Sequence, residues 1–368
     1  MKIRTITCHD VYNAGASLQA YALMTFLKNR GHDVEIIDYK PSYLSHHYDL
    51  FYVPNPKYNH GLLKVIYIIL KLPQRLLSLK SKKKRDFDYF TNNYLKLTKR
   101  YHRCEEMMNS FNDVDIFFAG SDQIWNPLFQ NGHDKSFYLQ FASQQSVKAT
   151  YAASFAVEEN IYPYSNEIKE WLLYLDKISV REKSGLEILK NYHISGNVVL
   201  DPVFLLDFHQ WNEIFLKKTQ EKMIFVYDFD NNDLIKNIAL KLADKYNAII
   251  VSSQHLGYED KILDNQGPIG FLTAIRDSIC VISNSFHATA FSLIFHTEFY
   301  IVKRNENINT RMKDLLSMVD LSDRFISSMD SLPDNNYIDW NIVDQLINIK
   351  RTESIQYIQS IEELAESR

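Results

Sequence analysis

Residues 281–295 read VISNSFHATAFSLIF, and their chemical character changes abruptly in the middle of the stretch. An apolar run ends at Ile282, three polar residues follow, and an apolar pattern with helical spacing is established from Phe291 onward. This order predicts a strand, a tight turn and a helix with Asn284 or Ser285 as its N-cap. The first-turn N–H groups of such a helix favour an anion at the carboxyl end of the strand.

His287 falls in the first turn of this predicted helix. There the helix dipole disfavours a protonated imidazole until a bound anion offsets it, so ligand binding could set the protonation of the site. A histidine that merely caps a turn beside a buried helix is an equally acceptable interpretation of this stretch alone.

Length and charge narrow the possible classes of protein. At 368 residues the chain exceeds the size at which one hydrophobic core keeps growing, so two domains of roughly 150 to 200 residues are expected. The formal net charge of -4 gives no argument for nucleic-acid binding. Positive charge is concentrated locally: residues 61–103 hold twelve Lys or Arg against two Asp, whereas the remaining chain holds 29 basic and 43 acidic residues.

The three cysteines, Cys8, Cys104 and Cys280, form no CxxC pair and no Cys/His spacing typical of zinc sites. They argue against a disulfide framework and favour a reducing, cytosolic location. The N-terminal residues lack the apolar core of a signal peptide, and no run of about 18 apolar residues predicts a membrane span.

The N-terminal region has the pattern of a βαβ unit. A strand at Lys2–Thr7 and a helix at Leu18–Lys28 are separated by a polar loop that contains Asn13 and Gly15, and a second strand follows at Val34–Asp38. The loop reads NAGAS rather than GxGxxG, which argues against a dinucleotide site. Loops at this edge of a sheet often bind ligands, although Asn13 and Gly15 could also simply form the turn.

Residues 42–103 form an excursion from the domain. Within it, Leu62–Lys80 alternates apolar and basic residues, and SKKKR follows at 81–85. Pro73 is expected to break or kink this helix. A basic amphipathic segment at 61–85 indicates contact with a membrane surface or with phosphate, while a core-packed helix with a solvated basic end is the alternative.

A second polar loop follows the predicted buried strand Val114–Phe118. It reads AGSDQIWNP at 119–127, and its Asp, Gln and Asn side chains could bind sugar hydroxyls while Trp125 stacks on a sugar ring. Tyr151–Phe155 and Lys177–Val180 are predicted as further strands, and Arg181 stands at the carboxyl end of the latter.

Six motifs in order resemble the polysaccharide pyruvyl transferase family: NAGASLQAYAL, GSDQIWNP, YAASF, SVREKSG, VLDPVFLL and NSFHATAFSLIF. The resemblance extends from Lys2 to about Arg324. It implies an α/β fold in which two Rossmann-like domains face each other across a cleft, as in B-type glycosyltransferases. Residues 1–206 would form the acceptor-sugar side and residues 207–340 the donor side, with a helix at 341–368 packing back on the first domain.

The resemblance also implies a reaction and a set of site residues. The enzyme would move pyruvate from phosphoenolpyruvate onto two hydroxyls of a hexose as a cyclic ketal, in a bacterial capsular or exopolysaccharide, without a metal or another cofactor. The predicted catalytic residues are His287 and Arg181. The predicted donor-binding residues are Arg181, Asn284, Ser285, Phe286 and Arg311. The predicted acceptor-binding residues are Asn13, Gly15, Gln19, Gly120, Ser121, Asp122, Gln123, Trp125 and Asn126.

The chain departs from the family pattern just before His287. Better-studied members have an Arg-Leu or Arg-Phe pair there, whose arginine helps to hold the donor, whereas this chain has Ser285 and Phe286. Either Arg181 and a second basic residue bind the donor, or the donor differs. We favour Arg311 over Arg304 as that second cation, with a surface position for Arg311 as the alternative.

Two other classes of function stay open at this point. A nucleotide-sugar-dependent glycosyltransferase would share the architecture but would need a base and ribose pocket, usually marked by a Glu and a Gly-rich loop, which is not found after Ser252. A non-catalytic sugar-binding protein would have no use for Arg181 and His287 together. The sequence also leaves open whether the acceptor is linked to undecaprenyl diphosphate, in which case the enzyme would work at the inner face of the membrane.

Overall fold

The computed structural model of the protein describes residues 1–158, 163–304, 309–333 and 337–368. Its strands are β1 Lys2–Ile6, β2 Asp33–Tyr39, β3 Leu97–Tyr101, β4 Ile116–Ala119, β5 Val147–Thr150, β6 Ser179–Val180, β7 Asn197–Val198, β8 Met223–Tyr227, β9 Ile249–Ser252, β10 Lys261–Ile262, β11 Cys280–Ser283, β12 Phe299–Val302 and β13 Phe325–Ile326. Its α-helices are α1 Ala14–Asn29, α2 Gly61–Leu79, α3 Lys82–Tyr94, α4 Cys104–Met107, α5 Asn166–Leu173, α6 Lys183–Asn191, α7 Phe208–Asn212, α8 Asp233–Tyr246, α9 Pro268–Asp277, α10 Phe286–Phe295, α11 Thr310–Met318 and α12 Trp340–Glu366.

The first sheet consists of five parallel strands in the order β3-β2-β1-β4-β5. Its central strands β1 and β4 are buried along nearly their whole length, as expected for a parallel sheet covered on both faces. The strand order reverses between β1 and β4. The loops after these two strands therefore flank the crevice where ligands bind in open α/β sheets.

The second sheet repeats this arrangement with six parallel strands in the order β10-β9-β8-β11-β12-β13. Here the reversal lies between β8 and β11, with Tyr227 paired to Ser283 at the carboxyl edge. The loop after β11 is the polar turn that precedes α10. The predicted α/β fold with two Rossmann-like domains is therefore confirmed.

Two local predictions were wrong. Residues 151–155 do not form a strand, because β5 ends at Thr150 and Ala152 adopts a left-handed backbone with φ of 52°. Pro73 does not break its helix, since α2 runs continuously from Gly61 to Leu79, and only the predicted break was therefore wrong. A proline removes one backbone hydrogen bond, and Pro73 lies on an exposed face where water can satisfy the carbonyl that is freed.

The C-terminal helix α12 lies against the first sheet. The hydroxyl of Tyr357 donates to the carbonyl of Thr150 at the end of β5, over 3.0 Å. Further along α12, Glu362 accepts hydrogen bonds from Arg30 and His32, which follow α1. These contacts attach the end of the chain to the domain formed by its beginning.

Candidate active site

The turn between β11 and α10 is held by its own polar side chains. Ser285 is the N-cap, and its hydroxyl oxygen accepts the N–H of Ala288 at 3.4 Å. The side chain of Asn284 accepts the N–H of Phe229 at 3.1 Å and donates to Asp228 at 2.8 Å. Asn284 therefore ties the loop after β11 to the loop after β8, so the two loops at the edge of the second sheet move as one unit.

His287 lies in the first turn of α10, where it contacts both domains. Its Nε2 is 3.6 Å from Oδ2 of Asp201, which itself forms an ion pair with Arg181. The other side of the ring lies against Gly15 at the start of α1: a Cβ added there would be 2.0 Å from Nδ1 of His287. Gly15 is thus the position that lets the imidazole approach the first domain.

Asp201 and Arg181 form a buried ion pair behind the imidazole. Burial alone would raise the pKa of the Asp201 carboxyl, but the charges of Arg181 and His287 outweigh it and hold that pKa well below its usual value. Burial alone would likewise lower the pKa of Arg181, but Asp201 and Asp122 outweigh it and raise that pKa. Both groups are therefore ionised at neutral pH, and Asp201 presents a fixed negative charge to His287.

Arg311 extends the cluster from the second domain. Its Nη1 is 3.7 Å from Oδ1 of Asp122, and Nη2 of Arg181 is 3.4 Å from the same oxygen. The ring of Phe286 packs against both guanidinium groups, with centroid distances of 4.6 Å for Arg181 and 5.8 Å for Arg311. Burial, followed by repulsion from Arg181, lowers the pKa of Arg311 to about 10. Arg311 is thus a buried cation whose charge is incompletely balanced.

A narrow pocket opens between the carboxyl edges of the two sheets in front of this cluster. The first domain lines it with Asn13, Asp122 and Gln123, and the second lines it with Phe229, Asn284, Ser285, Phe286, His287, Arg304, Arg311 and Met312. Eight of the residues predicted from sequence as donor, acceptor or catalytic groups therefore meet at one place: Asn13, Asp122, Gln123, Asn284, Ser285, Phe286, His287 and Arg311.

Arg181 lies behind this pocket rather than in it. Together with Asp201 it lines a second cavity of about 420 Å³, which shares Phe286 and Arg311 with the pocket. Its side chain is only 2% exposed and is engaged by Asp201 and Asp122. Arg181 positions the groups around His287, and its predicted direct contact with a donor stays a prediction.

Trp125 does not have the predicted role. Its indole is fully buried, stacks on Tyr138 with ring centroids 5.2 Å apart, and donates its N–H to the carbonyl of Phe137. A ring with no exposed face cannot stack on a sugar, so the prediction for Trp125 was wrong. The indole instead packs the loop after β4 against the domain core.

Four other predicted acceptor residues are also buried and shape the pocket from behind: Gln19, Gly120, Ser121 and Asn126. The amide of Gln19 accepts the N–H of Ser121 at 3.2 Å, and the amide of Asn126 donates to Gln123 at 2.7 Å. In this structure they hold Asp122 and Gln123 in place rather than face a ligand, which corrects the prediction of direct acceptor contact.

Two residues of the site were not chosen from the sequence. Asp201 directly follows the apolar run of the VLDPV stretch, and an ionisable residue in that position is the signal that could have selected it. Arg304 was ranked below Arg311, yet both line the pocket. Arg304 is 3.7 Å from Asp230 and packs on the ring of Phe229 at 4.8 Å.

Within the described residues, no group of His, Cys, Asp and Glu side chains is arranged to hold a metal ion. The same residues include no helix that is long and apolar enough to cross a membrane.

The family profile described as "Polysaccharide pyruvyl transferase" matches residues 13–306. The chain belongs to this family of transferases. The match begins at Asn13 in the pocket and includes both the His287 turn and Arg304, so it covers nearly all of the site described above. No curated protein matches the chain in sequence.

Among solved structures, this pyruvyl transferase family member is similar to a putative UDP-N-acetylglucosamine 2-epimerase from Listeria monocytogenes, with 11% identity, a TM-score of 0.49 and 94% of each chain covered. A UDP-GlcNAc 2-epimerase from Neisseria meningitidis has 11% identity and a TM-score of 0.48, covering 99% of this chain and 94% of its own. The spinosyn rhamnosyltransferase SpnG has 10% identity and a TM-score of 0.47, covering 99% of this chain and all of its own.

Gly15→Ala should lower the rate of transfer about tenfold or more, because the new methyl group would displace the imidazole of His287, and a misplacement of about 1 Å can cost about a hundredfold. Steady-state kinetics measures the loss. Gly31→Ala is the control, since it lies just beyond the other end of α1 with nothing within 4 Å of the added Cβ. Its positive φ of 90° should reduce stability only. Equal rates for both variants would mean that the contact between Gly15 and His287 is unimportant.

Proposed function

We propose that the protein transfers the pyruvate moiety of phosphoenolpyruvate onto two hydroxyls of a hexose, forming a cyclic ketal in a bacterial surface polysaccharide. The observation that carries the proposal is the grouping of Arg304, Arg311 and His287 around the N-terminus of α10. Phosphoenolpyruvate brings a carboxylate and a phosphate, and fixed guanidinium groups with helix N–H donors are well suited to both.

The departure from the family pattern before His287 fits this arrangement. Better-studied members have an arginine in the turn itself, whereas Arg311 and Arg304 reach the pocket of this chain from the region after β12. Phe286 then has a different task, since it packs against Arg311 and Arg181 and fixes their direction. The cation that binds the donor is thereby supplied from another element rather than lost.

His287 is proposed as the proton donor. In the reaction, a proton adds to the methylene carbon of phosphoenolpyruvate while a sugar hydroxyl attacks the central carbon. The proton of that hydroxyl returns to the imidazole, which passes a proton to the phosphate as the bond between the central carbon and the phosphate oxygen breaks. Attack by a second hydroxyl on the central carbon closes the ketal, and the proton of this hydroxyl restores the protonated imidazole. One imidazole can give and regain protons in turn, and the carboxylate of Asp201 lies 3.6 Å from its Nε2.

The acceptor would approach from the first domain. The amides of Asn13 and Gln123 line that side of the pocket and can both donate to and accept from sugar hydroxyls. Asp122 is placed beside them, but Arg181 and Arg311 already engage one of its oxygens. Asp122 therefore links the donor cations to the acceptor side.

The test is a comparison of donors. The protein is incubated with candidate hexose glycosides and either phosphoenolpyruvate or nucleotide sugars, and phosphate or nucleotide release is measured. We expect phosphate release from phosphoenolpyruvate that depends on the acceptor. Turnover of a nucleotide sugar, with none of phosphoenolpyruvate, would favour a glycosyltransferase and overturn the proposal.

A further inference from the structure

Helix α2 presents an apolar face to solvent. None of its 19 residues is buried, and its most exposed large side chains are Leu62 (74%), Ile69 (62%), Leu70 (74%) and Leu77 (72%). Their spacing of seven and eight residues places them on one side of the helix. Val65, Ile66 and Leu76 widen this exposed side, which we call the α2 stripe. Contiguous apolar surface of this kind marks an interaction site on a soluble domain.

The opposite side of α2 is fixed to the protein. The guanidinium of Arg75 donates to the carbonyls of Leu50 and Tyr52 at 2.7 and 2.6 Å, and the ring of Tyr67 stacks on Tyr58 at 5.9 Å. The partners Leu50, Tyr52 and Tyr58 all belong to the segment that precedes α2. Because this segment binds one side of the helix, the α2 stripe on the other side faces solvent.

Basic side chains lie on the side of α2 away from the α2 stripe and beyond the C-terminal end of the helix. Lys64 and Lys71 are exposed on the polar side of the helix, and Lys80, Lys82 and Arg85 are exposed where α2 leads into α3. The rest of the chain is acidic, with 43 acidic against 29 basic residues outside 61–103. An occupant of this surface must therefore offer apolar groups to the α2 stripe and negative charge to the basic side chains on the rest of the helix and at its end.

We propose that α2 docks in the plane of an anionic phospholipid bilayer, with the α2 stripe inserted at the boundary of the acyl chains and the lysines among the headgroups. An amphipathic helix with a basic polar face binds in this way. Each Lys or Arg near an anionic surface contributes on the order of 1 kcal/mol. A second copy of the chain is a poorer occupant, because a two-fold contact would bring another basic α2, rather than negative charge, to this surface.

The segments before and after α2 adjoin the candidate active site. The ring of Tyr12 packs edge-on against Tyr48, with centroids 4.6 Å apart, and its hydroxyl donates to Asp88 in α3 at 3.0 Å. Asn13, the next residue, lines the pocket. If the proposed function holds, a sugar carried on a lipid would meet the pocket beside the membrane, but the docking itself does not depend on that function.

Vesicle co-sedimentation tests the proposal. The full chain is mixed with vesicles of phosphatidylcholine alone or with added phosphatidylglycerol, at low and high salt. We expect binding to the anionic vesicles only, weakened but not abolished by salt, because the charges are screened while the apolar contact persists. Replacing Leu62, Ile69, Leu70 and Leu77 by Ser should reduce the bound fraction at least tenfold.

Matched variants separate this surface from general effects. Leu128, Leu173, Leu240 and Ile349 are exposed on other elements, and their fourfold change to Ser should leave vesicle binding unchanged. Replacing Lys64, Lys71, Lys80 and Arg85 by Gln should reduce binding at low salt only. Lys83 and Lys84 are left out because they lie against the rings of Phe87 and Tyr48. Since α2 buries no side chain, the variant with Ser in the α2 stripe should unfold at the wild-type temperature.

Two results would overturn the proposal. One is failure of the wild-type chain to bind anionic vesicles at low salt. The other is a wild-type chain that forms dimers in the ultracentrifuge without lipid, while the variant with Ser in the α2 stripe is monomeric, since this result would assign the stripe to a second copy. Insertion into the bilayer can be measured directly by tryptophan fluorescence. The fluorescence of Leu70→Trp should be quenched by brominated lipids, whereas that of Leu240→Trp should not.

Discussion

His287→Ala should lower the rate of pyruvyl transfer at least about a hundredfold, the lower end of the contribution of a positioned acid or base. The imidazole lies in the first turn of α10, and its Nε2 faces the carboxylate of Asp201 at 3.6 Å. No other residue that lines the pocket is a histidine. The loss should appear in kcat, because the proton is needed for the chemical step rather than for donor binding.

The fold should survive this change. The ion pair between Asp201 and Arg181 persists without the imidazole, so no buried charge is left unpaired. His296→Ala is the matched control, because it removes a half-exposed histidine that pairs with Asp344 at the far end of the same helix. A near-normal kcat for His287→Ala, or an equal loss for the control, would contradict the assigned role.

Arg311→Met should lower kcat/KM for phosphoenolpyruvate about a hundredfold, equal to about 2.7 kcal/mol, which is within the range for losing one partner of a buried charge pair. Arg311 is a buried guanidinium that lines the pocket beside the N-terminus of α10. Methionine keeps an unbranched chain of similar shape and removes only the charge and its donors. Steady-state kinetics with varied phosphoenolpyruvate measures the effect.

The same change should not destabilise the ligand-free protein. Burial and Arg181 lower the pKa of Arg311 to about 10, below its value in an unfolded chain. Its charged form therefore opposes folding at neutral pH, and this opposition fades only as the pH rises through the folded pKa. We expect an unfolding temperature equal to or above that of the wild type. We also expect that added phosphoenolpyruvate raises the unfolding temperature of the wild type but not that of the variant.

The control for this pair of effects is Arg103→Met, which removes an exposed arginine paired with Glu106 on the surface. It should change neither the kinetics nor the response to phosphoenolpyruvate, since surface ion pairs contribute little. If Arg311→Met retains normal kcat/KM, the donor is not bound at the N-terminus of α10.

Local sequence signals predicted the core of the site because the responsible forces act over short distances. The strand, cap and helix of 281–295 follow from an apolar run, a serine with an oxygen that can cap N–H groups, and helical spacing. The predicted residues of two separate loops, such as Asn13 and Asp122, also meet at the pocket, because carboxyl ends of parallel strands share an edge.

The misplaced predictions depended on contacts between distant segments. The sequence alone predicts that Trp125 stacks on a sugar ring. In the fold, its indole instead stacks on Tyr138 and donates to the carbonyl of Phe137. Asp201 becomes part of the site only because Arg181 and His287 converge on it from different elements. For the α2 stripe, the sequence shows the apolar pattern but not whether that side of the helix is exposed. Its exposure depends on Arg75, which attaches the other side of the helix to the protein.

In the proposed reaction, the pocket around His287 protonates the methylene carbon of phosphoenolpyruvate and delivers its pyruvate to a sugar. We would run this reaction in heavy water with an acceptor selected by the donor comparison, and analyse the sugar product by mass spectrometry and proton NMR. We predict a sugar whose mass has increased by that of pyruvic acid less one water, apart from exchanged hydrogen, and which carries one deuterium in a new methyl group. The wild-type protein should form this product and His287→Ala should not. A product without a deuterated methyl group, or one that has gained a sugar from a nucleotide donor, would contradict the account.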